Sequence, residues 1–235
     1  MKEYHQQGGL YSSSYEHDAC GIGMVANIHG DKSHALVESA LKVLENMRHR
    51  GAEGADGKTG DGAGILVQIP HEFILLNGIP VPEKGHYGTG LVFMPKDEQR
   101  QNAILETMID VVEAEGLSLM RVRDVPVNSD CLGETARETE PAIKQVFITG
   151  IKADELPDFE RKLYVIRKKV ENRVADKDFY VVSLSSKSIV YKGMLTSMQL
   201  RDYYLDLTDA YFTSSLALVH SRFSTNTFPA WPLAQ

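Results

Sequence analysis

Apolar residues recur along the chain with two different spacings, which predict an alternation of strands and helices. Alternation at period two places five side chains on one face of a buried or half-buried strand: Cys20, Ile22, Met24, Ala26 and Ile28. A helical spacing follows Ser33, a suitable N-cap, and continues to Met47, with Gly51 just beyond the predicted helix. Residues 51–64 hold six glycines and no large apolar side chain, which predicts a loop.

The rest of the chain continues this alternation. Strands are predicted at 65–69, 90–94, 117–123 and 144–149, on both sides of Ser185, and at 215–223; helices are predicted near 97–115, 155–174 and 197–205. Many strands with hairpin connections, and few helices, indicate antiparallel sheet with helical cover, an α+β class. From about 88 to 184 the order strand, helix, strand, strand, helix, strand would suit a ferredoxin-like unit.

Composition narrows the classes of protein that remain. The chain has 235 residues, enough for one large or two small domains, and its 43% hydrophobic and 24% charged residues are typical of a globular protein. The net charge of -7 without a Lys/Arg cluster argues against nucleic-acid or anionic-membrane partners. No apolar run approaches the ~18 residues of a membrane span, and the N-terminus lacks a secretory signal, so a cytoplasmic location is expected.

The chain has two cysteines, too few for a disulfide framework, so each thiol needs its own explanation. Cys131 falls in the loop-like segment 128–140 and is interpreted as a surface thiol without a role. Cys20 lies at the start of a strand, and its position is compatible with two interpretations, a small buried hydrophobic residue or a reactive nucleophile. The glycine loop lacks the GxxxxGK[ST] spacing and follows a helix, which argues against phosphate binding and favours a flexible wall near Cys20. Four histidines, His29, His34, His49 and His220, show no paired metal-ligand spacing, so no metal site is predicted.

Several separated motifs together resemble the class II glutamine amidotransferases. They are DACGIG at 18–23, MRHRGA at 47–52, GADGKTGDGAGI at 54–65, YKGML at 191–195 and HSRFSTNTFPAWPLAQ at 220–235. The expanded glycine loop is most similar to that of glutamate synthase large subunits. The resemblance implies a four-layer αββα sandwich of antiparallel sheets, of the N-terminal-nucleophile (Ntn) type and incomplete at its C-terminus. The domain would cover 20–235, with an α/β insertion at about 88–184.

The resemblance also implies that Cys20 is the catalytic nucleophile at the N-terminus of a mature chain. Residues 1–19 would be a propeptide, cleaved between Ala19 and Cys20. The chemistry agrees, because a free α-amino group has a pKa near 8 and can take the proton of the thiol, whose own pKa is about 8.5. While the bond is intact, the amine is an amide and cannot serve as a base.

The substrate's carboxylate would be held near the last motif. An arginine offers two parallel hydrogen bonds to a carboxylate, although an arginine at the end of a strand also suits a surface ion pair. The resemblance assigns the carboxylate to Arg222, with Thr225 a second contact and Asn226 where many relatives have histidine. Arg50 matches the Arg-Gly turn of the family and would orient the first strand or contact substrate.

The function implied is glutaminase activity, with ammonia passed to 2-oxoglutarate in a longer glutamate synthase. Expected partners are L-glutamine, the rest of that chain and, as an open alternative, a small subunit. FMN and an iron-sulfur cluster are implied for the longer enzyme, and no cofactor is expected in this segment. The resemblance also implies an oxyanion Asn-Gly pair and a later Asp beyond the HSRFST motif, and neither follows that motif in this sequence. The 235-residue chain is therefore expected to turn over little glutamine. The alternative is a ferredoxin-like ligand-binding or regulatory module without catalysis.

Overall fold

Two four-stranded antiparallel sheets and several helices form the chain, in a computed structural model that describes residues 21–224 and 228–234. The first sheet has the order β1-β8-β2-β7 and the second the order β4-β5-β3-β6. The strands are β1 Ile22–Ala26, β2 Ala63–Gln68, β3 Gly88–Met94, β4 Ser118–Asp124, β5 Ala142–Thr149, β6 Tyr180–Val181, β7 Ser188–Gly193 and β8 Leu216–Ser221. The α+β class predicted from the sequence is confirmed.

Six α-helices lie within the described residues. They are α1 His34–Asn46, α2 His71–Leu76, α3 Glu98–Ala114, α4 Glu134–Glu138, α5 Phe159–Arg173 and α6 Gln199–Tyr203. The predicted first helix begins as expected, because the Ser33 side chain accepts a hydrogen bond from the Leu36 N–H at 3.2 Å. Two short helices, α2 and α4, of six and five residues, were not predicted from the sequence.

The first strand differs from its prediction in the face that it buries. Gly23 and Val25 face α1, and a Cβ at Gly23 would lie 2.5 Å from Val43 Cγ1. The opposite face, predicted to be buried or half-buried, is exposed, at 54% for Ile22 and 65% for Met24. The reason is that β1 is an edge strand, and the described residues cover it on the α1 side.

The second sheet is covered on its far face by two helices. Apolar side chains of α3 and α5 bury that face in one cluster with Val92, Met94, Val146 and Ile148. The elements follow as β3, α3, β4, α4, β5, α5, β6. Apart from the short α4, this sequence of elements and the strand order β4-β5-β3-β6 are those of a ferredoxin-like split βαβ unit. The two strands predicted around Ser185 exist, but they do not form a hairpin, because β6 and β7 belong to different sheets.

A single hydrophobic cluster joins the two sheets. Its members include, from the second sheet, Leu91, Phe93 and Phe147, and from the first sheet and its connections, Ile65, Val219, Tyr191, Tyr204 and Phe212. Aromatic rings pack edge to face inside it, with the centroids of Tyr191 and Tyr204 5.0 Å apart. The two sheets are therefore packed against a common interior.

A buried ion pair crosses this interior. Arg123 of β4 reaches the carboxylate of Asp206, which is 4% exposed, and the Tyr191 hydroxyl donates to Asp206 Oδ2 at 2.8 Å. The Nε of Arg123 donates to Gln145 Oε1 at 2.7 Å, and the Gln145 amide donates to the Thr89 hydroxyl at 2.9 Å. A polar network thus ties strands of the second sheet to β7 of the first.

Cys131 does not lie on the surface as predicted. Its side chain is partly buried against the large cluster, and its Sγ donates to the Asn128 carbonyl at 3.1 Å. Burial raises the pKa of this thiol to about 11. The segment 128–140 is also less loop-like than predicted, because a 3₁₀ turn at Ser129–Cys131 and α4 occupy much of it.

Across residues 21–224 and 228–234, none of the helices has the length and apolar character needed to span a lipid bilayer.

Candidate active site

The predicted site residues that the structure describes lie where three strand ends meet. The start of β1, the end of β8 and the start of β2 are adjacent, with Ile22 opposite His220 and Ala63 opposite Ser221. The Ser221 N–H donates to the Gly21 carbonyl at 2.7 Å, which extends the β1 ladder by one residue. Gly21 follows Cys20 directly, so this edge of the sheet is where the chain arrives from Cys20.

Gly21 leaves no room for a side chain. A Cβ at this position would lie 2.2 Å from the Ser221 carbonyl oxygen and 3.6 Å from the Cβ of Arg50. The backbone therefore runs close to β8 on one side and to Arg50 on the other. This close approach explains why position 21, directly after Cys20, is glycine.

Arg222 and Arg50 both lie next to this junction. Arg222 follows β8, and its N–H donates to the Gly62 carbonyl at 2.8 Å. Arg50 ends a 3₁₀ turn, Arg48–Arg50, that follows α1, and its side chain is half-buried. The structure thus brings the two predicted arginines to the strand end that Gly21 reaches. Four other predicted positions, Ala19, Cys20, Thr225 and Asn226, lie outside the described residues.

The glycine loop is held more firmly than the flexible wall predicted from its composition. The Asp56 carboxylate accepts from the Thr59 N–H at 2.7 Å and from the Glu134 N–H at 3.1 Å. Hydrogen bonds, first of all from the Thr59 hydroxyl, lower the pKa of Asp56 to about 2. The Gln199 side chain donates to the Lys58 carbonyl at 2.8 Å, so the loop tip is tied to both α4 and α6.

Lys192, the lysine of the YKGML motif, is a buried cation that the sequence did not predict. It is 3% exposed; its Nζ donates to the Pro232 carbonyl at 2.9 Å and lies 4.6 Å from the centre of the Tyr180 ring. Burial, and then the positive charges of Arg167 and Arg222, lower the pKa of Lys192 to about 8. Arg222 is thus within electrostatic reach of a second cation.

Replacing Lys192 with methionine should remove a rise in stability at alkaline pH. The unfolded chain keeps this proton up to a pKa of about 10.4, whereas the folded chain loses it near 8. Between these values the unfolded state binds more protons, so the free energy of unfolding rises with pH, by about 2 kcal/mol from pH 7 to pH 9.5. Urea denaturation at both pH values measures this. The exposed Lys187→Met is the control and should keep the rise; an unchanged pH dependence in Lys192→Met would contradict the prediction.

One cleft lies away from the strand junction. It has a volume of about 440 Å³ between the end of β3, α4 and the segment 229–232, and its walls include Phe93, Met194 and Trp231. At the junction itself, the crevice beside Gly51, Ser221 and Arg222 holds about 10 Å³, room for a single water. Within the described ranges, no group of three or more His, Cys, Asp and Glu side chains could hold a metal ion.

Comparison with known proteins gives one family and a consistent set of relatives. The model of the glutamine amidotransferases class-II matches residues 20–235. The chain is 48% identical to "Glutamate synthase [NADPH] large chain" of Bacillus subtilis, 46% to "Glutamate synthase [NADH]" of Saccharomyces cerevisiae and 44% to "Ferredoxin-dependent glutamate synthase 2" of Synechocystis. These alignments cover 96%, 97% and 94% of this chain, but only 15%, 11% and 14% of those proteins.

The family match agrees with the geometry of the strand junction. It begins at Cys20, the residue before the close approach of Gly21 to β8, and it includes both arginines and the glycine loop. The two antiparallel sheets with their helices agree with the Ntn-type α+β sandwich of that family. The chain belongs to the class II glutamine amidotransferases.

Proposed function

We propose that this chain is the glutaminase part of a glutamate synthase, with Cys20 as its nucleophile. The observation that carries the proposal is the junction at Gly21, which ties the backbone next to Cys20 to the end of β8, one residue from Arg222. A thiol and a carboxylate-binding arginine on one strand edge suit an amino-acid substrate whose amide and carboxylate lie at opposite ends.

The proposed reaction uses the α-amino group of Cys20 as base. The amine takes the thiol proton, and Sγ attacks the carboxamide carbon of glutamine to give a tetrahedral adduct. The adduct collapses with return of the proton to nitrogen, so that ammonia leaves and a thioester remains. Water then attacks the thioester, releasing glutamate and restoring the thiol.

The remaining site residues have binding roles in this proposal. Arg222 pairs with the substrate carboxylate through two parallel hydrogen bonds, and Thr225 and Asn226 line the same end of the substrate. Arg50, 3.6 Å from where a Gly21 Cβ would lie, keeps the start of β1 in place. Residues 1–19 are a propeptide, which agrees with a family match that starts at residue 20.

The proposal extends to the longer enzyme of which this segment would be a part. There, ammonia passes to 2-oxoglutarate, and the rest of that chain, with or without a small subunit, supplies the second site in the cytoplasm. FMN and an iron-sulfur cluster belong to that second site. The residues present do not fit the cluster, because such clusters take about four cysteine ligands and this chain has two cysteines.

Labelling of Cys20 by a glutamine analogue tests the proposal. Diazo-oxo-norleucine should alkylate Cys20 in the full-length enzyme, glutamine should protect it, and Cys131 should stay unlabelled. Intact mass should show that the labelled chain has lost residues 1–19. An active enzyme that keeps those residues, or labelling that glutamine does not slow, would contradict the proposal.

A second candidate concerns residues 88–184, whose strand order is ferredoxin-like. Such a unit could bind a regulatory ligand without catalysis. Glutamine-protected labelling at Cys20 would reject this as the function of the whole chain, because a binding module needs no reactive thiol.

A further inference from the structure

One buried carboxylate beside Arg222 has no part in the reaction described above. Asp61 lies in the glycine loop just before β2 and is 8% exposed. Its Oδ2 accepts from the Ser224 N–H at 2.5 Å. A buried carboxylate is costly unless it makes such hydrogen bonds, and this one is made to the turn that follows β8.

Asp61 and Gly62 together hold both sides of Phe223. The Gly62 carbonyl accepts from the Arg222 N–H at 2.8 Å, and Asp61 holds the next N–H but one, that of Ser224. Two consecutive residues of the glycine loop therefore bind the backbone N–H groups of Arg222 and Ser224. The turn that carries Arg222 is therefore held by two hydrogen bonds, one to the Gly62 carbonyl and one to the Asp61 carboxylate.

Asp61 and Gly62 are themselves held by contacts outside the turn. The Asp61 N–H donates to the Ala52 carbonyl at 3.2 Å, which ties the two arms of the loop. Gly62 has φ +152°, and a Cβ there would lie 2.8 Å from the Ala234 Cα. The acceptor for the Ser224 N–H therefore belongs to a loop that is held by contacts outside the turn.

We propose that Asp61 is a positioning residue that holds the Arg222 turn in register for the carboxylate of the substrate. This rests on the proposed function, in which Arg222 binds that carboxylate. Without the acceptor at Asp61, the Ser224 N–H is left unpaired and the turn can shift, so that the guanidinium no longer presents both N–H groups to the ligand.

Two substrates and two variants test this in the full-length enzyme. Glutamine carries the α-carboxylate, whereas glutamine α-amide replaces it with a neutral group. In Asp61→Ala, the preference for glutamine over its α-amide, measured as the ratio of kcat/KM values, should fall about tenfold, mainly through KM for glutamine. Asp61→Asn keeps an acceptor oxygen and should recover most of that preference.

The control is Lys58→Ala in the same loop, since the Lys58 side chain is exposed and its contact to Gln199 is made by the backbone. It should leave the preference unchanged. An unchanged preference in Asp61→Ala would overturn the inference. This includes an equal loss of kcat/KM for both substrates, because a general loss of structure lowers both values alike. Diazo-oxo-norleucine labelling separates the two proposals: if Cys20 is not labelled in the unmutated enzyme, the proposed function itself is wrong.

Discussion

Replacing Cys20 with alanine should abolish glutamine turnover in the full-length enzyme, with a loss of about 10⁵-fold or more. Removing a catalytic nucleophile leaves only binding and electrostatic stabilisation, and such deletions cost on this order in enzymes that form covalent intermediates. Ammonia release from glutamine measures the loss. Synthesis of glutamate from added ammonia should persist, because free ammonia replaces the product of the missing step.

Cys131→Ala is the matched control for this change. Its thiol is partly buried and donates to a backbone carbonyl, and its raised pKa keeps it protonated at neutral pH. Turnover of glutamine should stay close to that of the unmutated enzyme. Residual glutaminase activity in Cys20→Ala, or a comparable loss in Cys131→Ala, would mean that the nucleophile has been wrongly assigned.

Replacing Asp206 with alanine should destabilise the chain by about 3 to 5 kcal/mol, since it leaves the Arg123 guanidinium buried without its carboxylate. The Tyr191 hydroxyl, which donates to the same carboxylate, loses its acceptor as well. Urea denaturation of the 235-residue chain measures the change. The double variant Arg123→Met/Asp206→Ala should lose less than the sum of the single changes, because the two side chains interact directly.

Asp124→Ala is the control for this loss, at the residue next to Arg123 on the same strand. Its carboxylate pairs with Lys144 at 2.7 Å, but its side chain is 81% exposed. Exposed pairs contribute little, so the change should stay within about 1 kcal/mol. Equal losses of stability in Asp124→Ala and Asp206→Ala would contradict the prediction, because the buried pair would then contribute no more to the free energy of unfolding than an exposed pair.

Local patterns predicted much of the fold because they depend on neighbouring residues. The helix after Ser33, and the strands and the two long helices from 88 to 184, follow from spacing and capping alone. The pattern did not predict the short helices α2 and α4, because five or six residues give too few turns for a clear period. The equally short α6 was predicted only as part of a longer helix at 197–205. The exposed face of β1 was predicted as buried, since alternation shows that two faces differ and not which one is covered.

The candidate site could be predicted only in part, and for the same reason. Cys20, Arg50 and Arg222 stand in recognisable motifs, and the structure places the two arginines at the edge that Gly21 reaches. Lys192 gave no sign of burial, because lysine is usually exposed and its partner Pro232 lies forty residues away. Nothing in the sequence singles out Asp61 within the glycine loop, because its bond to Ser224 joins residues far apart in sequence.

The hydrophobic cluster shared by both sheets limits how this domain can change. Leu91, Phe93 and Phe147 fill space between the second sheet and the first, next to aromatic rings of the first sheet's connections. Deleting segment 88–184, or replacing it with another unit, would therefore leave that space empty and expose its apolar walls to water. Shortening in related chains would have to be matched by larger side chains on the β7 side of the cluster.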